Sequence, residues 1–239
     1  MLKMEYIPAV SNMDTQNNIN ILVAEKALEL LKKTIESSRF EGIWKKKEAL
    51  QFSDLMKSDI MAIKFSYTEK ENISEITSPL KDKIINLQST LGENWSSTFL
   101  SNAKKENKTS TKMGIAKIIF AMNTLYSLDK RIKQDNKYGV DTIVGKILSV
   151  SKVSDSLLVC NVDIKRAITV LTNDMSIKNG DIVAVSILPP RELYGQVSEG
   201  MFCGIHGVLK IEGEVGNMAK IPIEGYKETV NMIQDFLKH

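Results

Sequence analysis

Histidine and cysteine are nearly missing from this chain. Its 239 residues hold two of each: His206 and His239, Cys160 and Cys203. Two cysteines cannot build a disulfide framework. No Cys-x-x-Cys or His-x-x-x-His spacing supplies a zinc site, so no metal or cofactor is expected. Both cysteines sit in apolar runs and read as small buried hydrophobes of a reducing compartment. Aromatics make up 6% of the residues. No apolar run approaches the roughly 20 residues of a membrane helix. The start, Met1-Leu2-Lys3-Met4-Glu5-Tyr6, carries an acid and lacks the apolar centre of a signal peptide. A cytoplasmic protein with no membrane association is the expectation.

What is present is ordinary for a packed protein, with 43% hydrophobic and 26% charged residues. The length allows one large domain or two small ones. The net charge of +3 conceals an asymmetry. Residues 1–137 carry 22 basic and 17 acidic side chains, residues 138–239 carry 10 and 12. Residues 101–137 alone hold nine basic and three acidic ones. A polyanionic partner would lie close to that segment.

The first half reads as helical. Apolar residues recur at helical spacing over 17–37, with Asp14 or Thr15 as a cap and Gly42 as a stop. A second stripe passes through Leu50, Leu55/Met56 and Ile60 and ends at a β-like Ile63-Lys64-Phe65-Ser66-Tyr67. Residues 68–77 read as loop. A third helix is expected from Ser78-Pro79 to Gly92, and a weaker one follows Asn94. Residues 101–112 are polar and read as a mobile connector. A last helix of this half is expected over 112–134, with Lys117, Lys130, Arg131 and Lys133 opposite its apolar face. A bundle core suits these helices better than a long coiled coil.

The pattern changes at Tyr138-Gly139. Val140–Val153, Leu157–Val162, Ala167–Leu171, Ile182–Ile187 and Met201–Ile205 are β-like, separated by turn residues such as Asn179-Gly180-Asp181. Five short strands fit a small closed barrel of the oligonucleotide-binding kind. A hairpin over 207–221 and a helix over 225–238 are expected after it. The fold class is thus α+β, a helical bundle (1–137) followed by a five-stranded barrel with a C-terminal hairpin and helix (138–239).

The most specific motif is Gly195-Gln196-Val197-Ser198-Glu199-Gly200-Met201, a Gly-x-x-Ser-x-Gly-Met before an apolar pair. Two glycines and a small hydroxyl residue suggest a tight turn into the barrel wall. It stands in order with Val144-Gly145-Lys146-Ile147, with Ser154-Asp155 leading to Val162-Asp163, with Gly180-Asp181, and with Leu188-Pro189. Together these resemble the EMAP-type tRNA-binding domain. That domain occurs at the C-terminus of some methionyl-tRNA synthetases, at the N-terminus of the phenylalanyl-tRNA synthetase β chain, and in free-standing proteins. The resemblance covers about Asp141 to Ile205. It departs at residues 190–194, where the family carries a longer loop. Neither His-Ile-Gly-His nor Lys-Met-Ser-Lys-Ser occurs, so the adenylate-forming chemistry of a synthetase core is not expected.

Phosphates need cations and unstacked bases need flat side chains. The barrel supplies Lys146, Lys152, Lys165, Arg166, Lys178 and Arg191 for the first and Tyr194 for the second. Lys165-Arg166 at a hairpin tip reads first as a solvated turn and second as a phosphate contact. Ser198 enters the RNA-binding set through the motif, and also reads as a hydroxyl bonded to the backbone of its own turn. A nucleophile role is not expected, because Gly-x-Ser-x-Gly is absent and His206 is the nearest imidazole. Lys104, Lys105, Lys108 and Lys112 form a basic run that would follow a polyanion backbone. The resemblance implies a non-catalytic tRNA-binding protein, acting for a synthetase or a tRNA-modifying enzyme, with homodimers as a family habit. The acidic barrel and short loop leave a second reading open, a protein-interaction module whose barrel has lost RNA binding.

Overall fold

Helix α1 (Ile19–Ser37) is the axis on which the helical half is built. It buries Ile21, Val23, Ala24, Ala27, Leu28, Leu31 and Ile35, a stripe wide enough to receive neighbours on both flanks. The computed structural model describes residues 13–239, and the N-terminal Met1–Tyr6 segment lies outside them. Asn18, rather than Asp14 or Thr15, caps α1, its side chain accepting the Asn20 N–H at 3.0 Å. Thr15 instead donates its hydroxyl to the Lys64 carbonyl at 2.8 Å, tying the entry of α1 to the end of the next helix.

Helix α2 (Lys46–Lys64) takes the first two residues of the segment with β-like composition, Phe65 is its C-cap, and no strand forms there. Ala49, Ser53, Met56, Ile60 and Ile63 share one buried face, so packing at helical spacing overrides the strand preference of Ile63. Helix α3 (Ile73–Leu91) starts earlier than Ser78-Pro79 and holds Pro79 inside. Its buried stripe extends back through Thr77 and Ile73, which recovers more than the missing proline N–H costs. Gly92, at φ +94°, ends it as expected. Helix α4 (Trp95–Asn102) contributes Phe99, stacked on Phe40 at 4.6 Å.

Residues 101–112 are not a loose connector. A 3-10 turn at Lys105–Asn107 leads into α5 (Lys108–Tyr126). The single helix expected to Gln134 breaks at Ser127, and α6 (Leu128–Lys133) follows. The break has a visible partner. Arg131 lies 4% exposed instead of on the solvent face, and its Nη1 donates to the Thr124 carbonyl at 3.2 Å.

Five strands follow: β1 (Thr142–Ser154), β2 (Leu157–Asp163), β3 (Ala167–Thr172), β4 (Ile182–Leu193) and β5 (Gln196–Phe202). All pairings are antiparallel, in the order β3-β2-β1-β4-β5. The fold class is therefore α+β with an oligonucleotide-binding-like sheet. The sheet curls around Ile147, Cys160, Val162, Ile168, Val170, Val183, Val185 and Phe202. It is not a closed barrel: β3 and β5 remain edges with no backbone ladder between them. The fifth strand begins at Gln196, so the Gly-x-x-Ser-x-Gly motif is strand rather than turn. The turn is Tyr194-Gly195, both residues left-handed at φ +52° and +72°, as a two-residue hairpin demands.

The expected hairpin over 207–221 does not form. Its limbs cover two edges that the staggered sheet leaves open. One limb meets β4 through Ile211 N–H to the Ile182 carbonyl (2.9 Å), the other meets β1 through Val144 N–H to the Asn217 carbonyl (2.8 Å). Existing strand edges win over a new two-stranded ribbon, which is marginal alone. The last helix, α7 (Lys227–Lys238), folds back onto the first half. Its Ile233 joins Val140, Leu188 and the helical residues in one apolar cluster, and Phe236 meets Phe120 edge-on at 6.0 Å. The two halves thus share a core.

Candidate nucleic-acid interface

The motif residues close the seam that the backbone leaves open. Ser198 is 7% exposed. Its Oγ accepts the Leu171 N–H of β3 at 3.2 Å and donates to the Gly200 carbonyl at 3.0 Å. Next to it, Glu199 accepts the Thr169 N–H at 3.1 Å on Oε2 and the Arg166 guanidinium at 3.0 Å on Oε1. Two edge N–H groups of β3 are so satisfied by side chains of β5. Gly200 is required by close approach, since a Cβ there would lie 2.6 Å from the Ser186 carbonyl oxygen. Ser198, placed among the RNA-contacting candidates, is spent on the protein's own backbone. Its proton goes to a carbonyl, while His206 sits exposed in the turn after Cys203. Glu199 carries as much of this seam as Ser198. It occupies an unspecified position of the motif, and sequence alone offered no signal for it.

Strand register sorts the candidate cations. Lys146 lies across from Asp163 on β2 and Ile182 on β4. That places it on the rim holding the Lys165-Arg166 turn and the Lys178–Asp181 turn. Lys146 and Lys178 are exposed and make no ion pair among the described residues. Lys165 packs against Gly216 and reaches Glu214 at 4.0 Å. Arg166 is held by Glu199. Asp181 opposes this rim: the Lys210 ammonium at 2.9 Å and the Lys178 backbone N–H keep its pKa below the usual carboxylate value, so it stays charged.

Lys152, Arg191 and Tyr194 belong to the opposite rim. Lys152 pairs with Asp155 at 2.7 Å. Arg191 is exposed near the tip of the β4–β5 hairpin, and Tyr194 stands 79% exposed at the tip itself. The expected short loop is thus the paired end of the β4–β5 hairpin.

The basic run on the helical half meets the sheet. Lys112 on α5 donates from Nζ to Thr169 Oγ1 on β3 at 3.3 Å. Lys104, Lys105 and Lys108, in the turns just before, are exposed and unpaired among the described residues. The structure brings Lys112 of this run to β3, joins Lys146, Lys165, Arg166 and Lys178 on one rim, and leaves Lys152, Arg191 and Tyr194 apart.

The interior polar groups are structural. Thr142, Ser186 and Thr229 hydroxyls bond in sequence at 2.8 Å each, and Ser186 reaches the Cys203 sulfur at 3.2 Å. Burial raises the Cys203 thiol pKa and pushes Cys160 up to about 11. No group of three or more acidic, histidine or cysteine side chains is placed to hold a metal among the described residues. No helix among them is long and apolar enough to cross a membrane.

Comparison with known proteins finds a match in each half of the chain. Residues 12–134 match the family model described as "Alpha helical domain". Residues 142–224 match the model described as "Putative tRNA binding domain". Over 94 residues the chain is 31% identical to the phenylalanine–tRNA ligase beta subunit of Thermotoga maritima. That match spans 35% of this chain and 12% of the ligase subunit. The chain belongs to the alpha helical domain family, and it joins to that domain an EMAP-type tRNA-binding domain.

Proposed function

We propose that the protein binds tRNA without catalysing a reaction on it, gripping phosphates and shape rather than stacking many bases. One observation supports this reading: Lys112 reaches Thr169 of β3 at 3.3 Å, and the exposed Lys104, Lys105 and Lys108 precede it closely along the chain. A structured RNA lying on the sheet would meet both halves at once. The Lys146, Lys165, Arg166 and Lys178 rim supplies further phosphate contacts, and Tyr194 supplies one stacking surface. Such a protein would raise the local tRNA concentration for a synthetase or a modifying enzyme in the cytoplasm.

Titration of bulk tRNA binding against salt tests this. Counterion release makes affinity fall steeply with salt. Lys165→Glu and Lys104→Glu should each weaken binding and reduce the slope of log K against log salt by about 1. Binding that neither saturates nor responds to salt would remove the reading.

A second reading rests on the far rim. A cleft of about 410 Å³ there is lined by Leu157, Leu171, Leu193, Met201, Phe202 and Ile205. Leu193 and Ile205 are exposed large hydrophobics, as at a protein-docking or dimer surface. A mass measurement in solution, with Leu193→Glu as the disrupting variant, separates the two readings.

A further inference from the structure

The end of α1 and the start of α5 enclose a polar cleft of about 340 Å³ that the sheet does not touch. Arg39 and Lys117 line it, and no acidic side chain does. Neither cation makes an ion pair among the described residues. Helix α5 lines the cleft with one flank, through Asn107, Ser110, Thr111, Gly114 and Lys117, and its first turn has no acidic residue. The opposing negative end of α1 is neutralised, because Lys46 Nζ donates to the Glu36 and Ser38 carbonyls at 2.8 and 2.9 Å.

A second feature is independent of the two cations. Thr111 is 7% exposed and lines the cleft. Its hydroxyl has no hydrogen-bond partner among the described residues, yet it is not sealed from solvent. That leaves the hydroxyl free to bond an occupant of the cleft that the residue lines. The floor is rigid: a side chain at Gly114 would come within 2.9 Å of the Phe40 ring and 3.3 Å of Ser38 Oγ.

We infer that this cleft is a phosphate-binding site, with Arg39 and Lys117 as counter-charges and the Thr111 hydroxyl as a hydrogen-bond donor. Lys104, Lys105 and Lys108 lead up to it along the chain. The occupant of choice is a backbone phosphate of the RNA held on the β3 side, so in that form the inference rests on the tRNA-binding reading. A small phosphorylated molecule would present the same chemistry.

Two probes of the full chain separate these sources. Inorganic phosphate, at ionic strength held constant with chloride, should raise the melting temperature of the native protein. Arg39→Gln combined with Lys117→Gln should abolish that rise, and the near-isosteric Thr111→Val should reduce it. In bulk tRNA titrations the double variant should bind about tenfold more weakly, with a salt slope smaller by about 2. Absence of any phosphate effect, together with unchanged tRNA binding by the double variant, overturns the inference. If Lys104→Glu and Lys165→Glu still weaken tRNA binding in that case, the tRNA-binding reading survives without this site. A chain that ignores tRNA but gains stability from phosphate through Arg39 and Lys117 keeps the site, assigns it to a small phosphorylated ligand, and loses the tRNA reading.

Discussion

Arg131 and Asp141 form a bidentate pair, Nε to Oδ1 at 2.9 Å and Nη2 to Oδ2 at 3.1 Å, that locks the last turn of the helical half to the residue before β1. The guanidinium is buried and also holds the Thr124 carbonyl at the helix break. Asp141→Ala would strand a buried charge. The expected loss of unfolding free energy is about 3 kcal/mol, read by urea denaturation. Both halves should unfold in one transition, because they share a core through Val140, Leu188 and Ile233. Two resolved transitions would show that the pair and the shared core do not couple them.

The seam between β3 and β5 rests on side chains, so it is sensitive to single atoms. Ser198→Ala leaves the Leu171 N–H unpaired and should cost about 1–2 kcal/mol. Gly200→Ala forces a methyl onto the Ser186 carbonyl and should cost about 2–3 kcal/mol. Thermal melts of the two variants check the order. A neutral Ser198→Ala would mean that water serves the seam equally well.

Tyr194 separates function from stability. A non-glycine residue at φ +52° is strained, and a glycine there relieves the strain. Tyr194→Gly is expected to raise the melting temperature slightly while weakening tRNA binding by about 1 kcal/mol through the lost stacking surface. Unchanged affinity would remove the tyrosine from the interface.

Acid stability should depend on Asp129. Burial pushes its pKa up, but hydrogen bonds from the Lys81 ammonium, the Ser74 hydroxyl and the Lys130 N–H outweigh that, leaving it below the ordinary 3.8. A lowered native pKa stabilises the fold above the ordinary value, and this contribution fades as pH falls through the lowered one. Asp129→Asn should lower stability near neutrality and flatten the decline below about pH 4. Parallel pH profiles for variant and native protein would contradict this.

The cysteines should be inert in the native state. Burial raises both thiols, Cys160 to about 11, and the thiolate is the reactive form. A thiol reagent at pH 8 should label neither until denaturant is added. Rapid labelling of Cys160 without denaturant would mean that the sheet opens locally.

The sequence showed most where spacing and burial agree. The stripes of α1 and α3, the stop at Gly92 and the strands at 157–163 and 167–172 follow from periodicity and turn residues. Ile63–Tyr67 misled because β-branched composition was weighed without the partners that α2 packs against. Arg131 misled in the same way, since a cation on a helix is solvent-facing unless an acid from another element waits for it. Within the candidate interface, the residue types were legible and their grouping was not. Lys152 and Arg191 stand apart from Lys146, Lys165 and Lys178 only because strand register puts them on different rims.

By itself the sequence determined most of the segments that coil into helices and most of those that extend. Hydrophobic period and turn chemistry act over a few residues, and those residues are contiguous. The tertiary structure alone decided that Ser198 and Glu199 serve β3, that residues 207–221 cover strand edges instead of pairing together, and that Thr111 faces a cleft with Arg39 and Lys117. Each of these joins groups distant along the chain, whose hydrogen-bonding needs become visible only when folding sets one unpaired edge or hydroxyl against another.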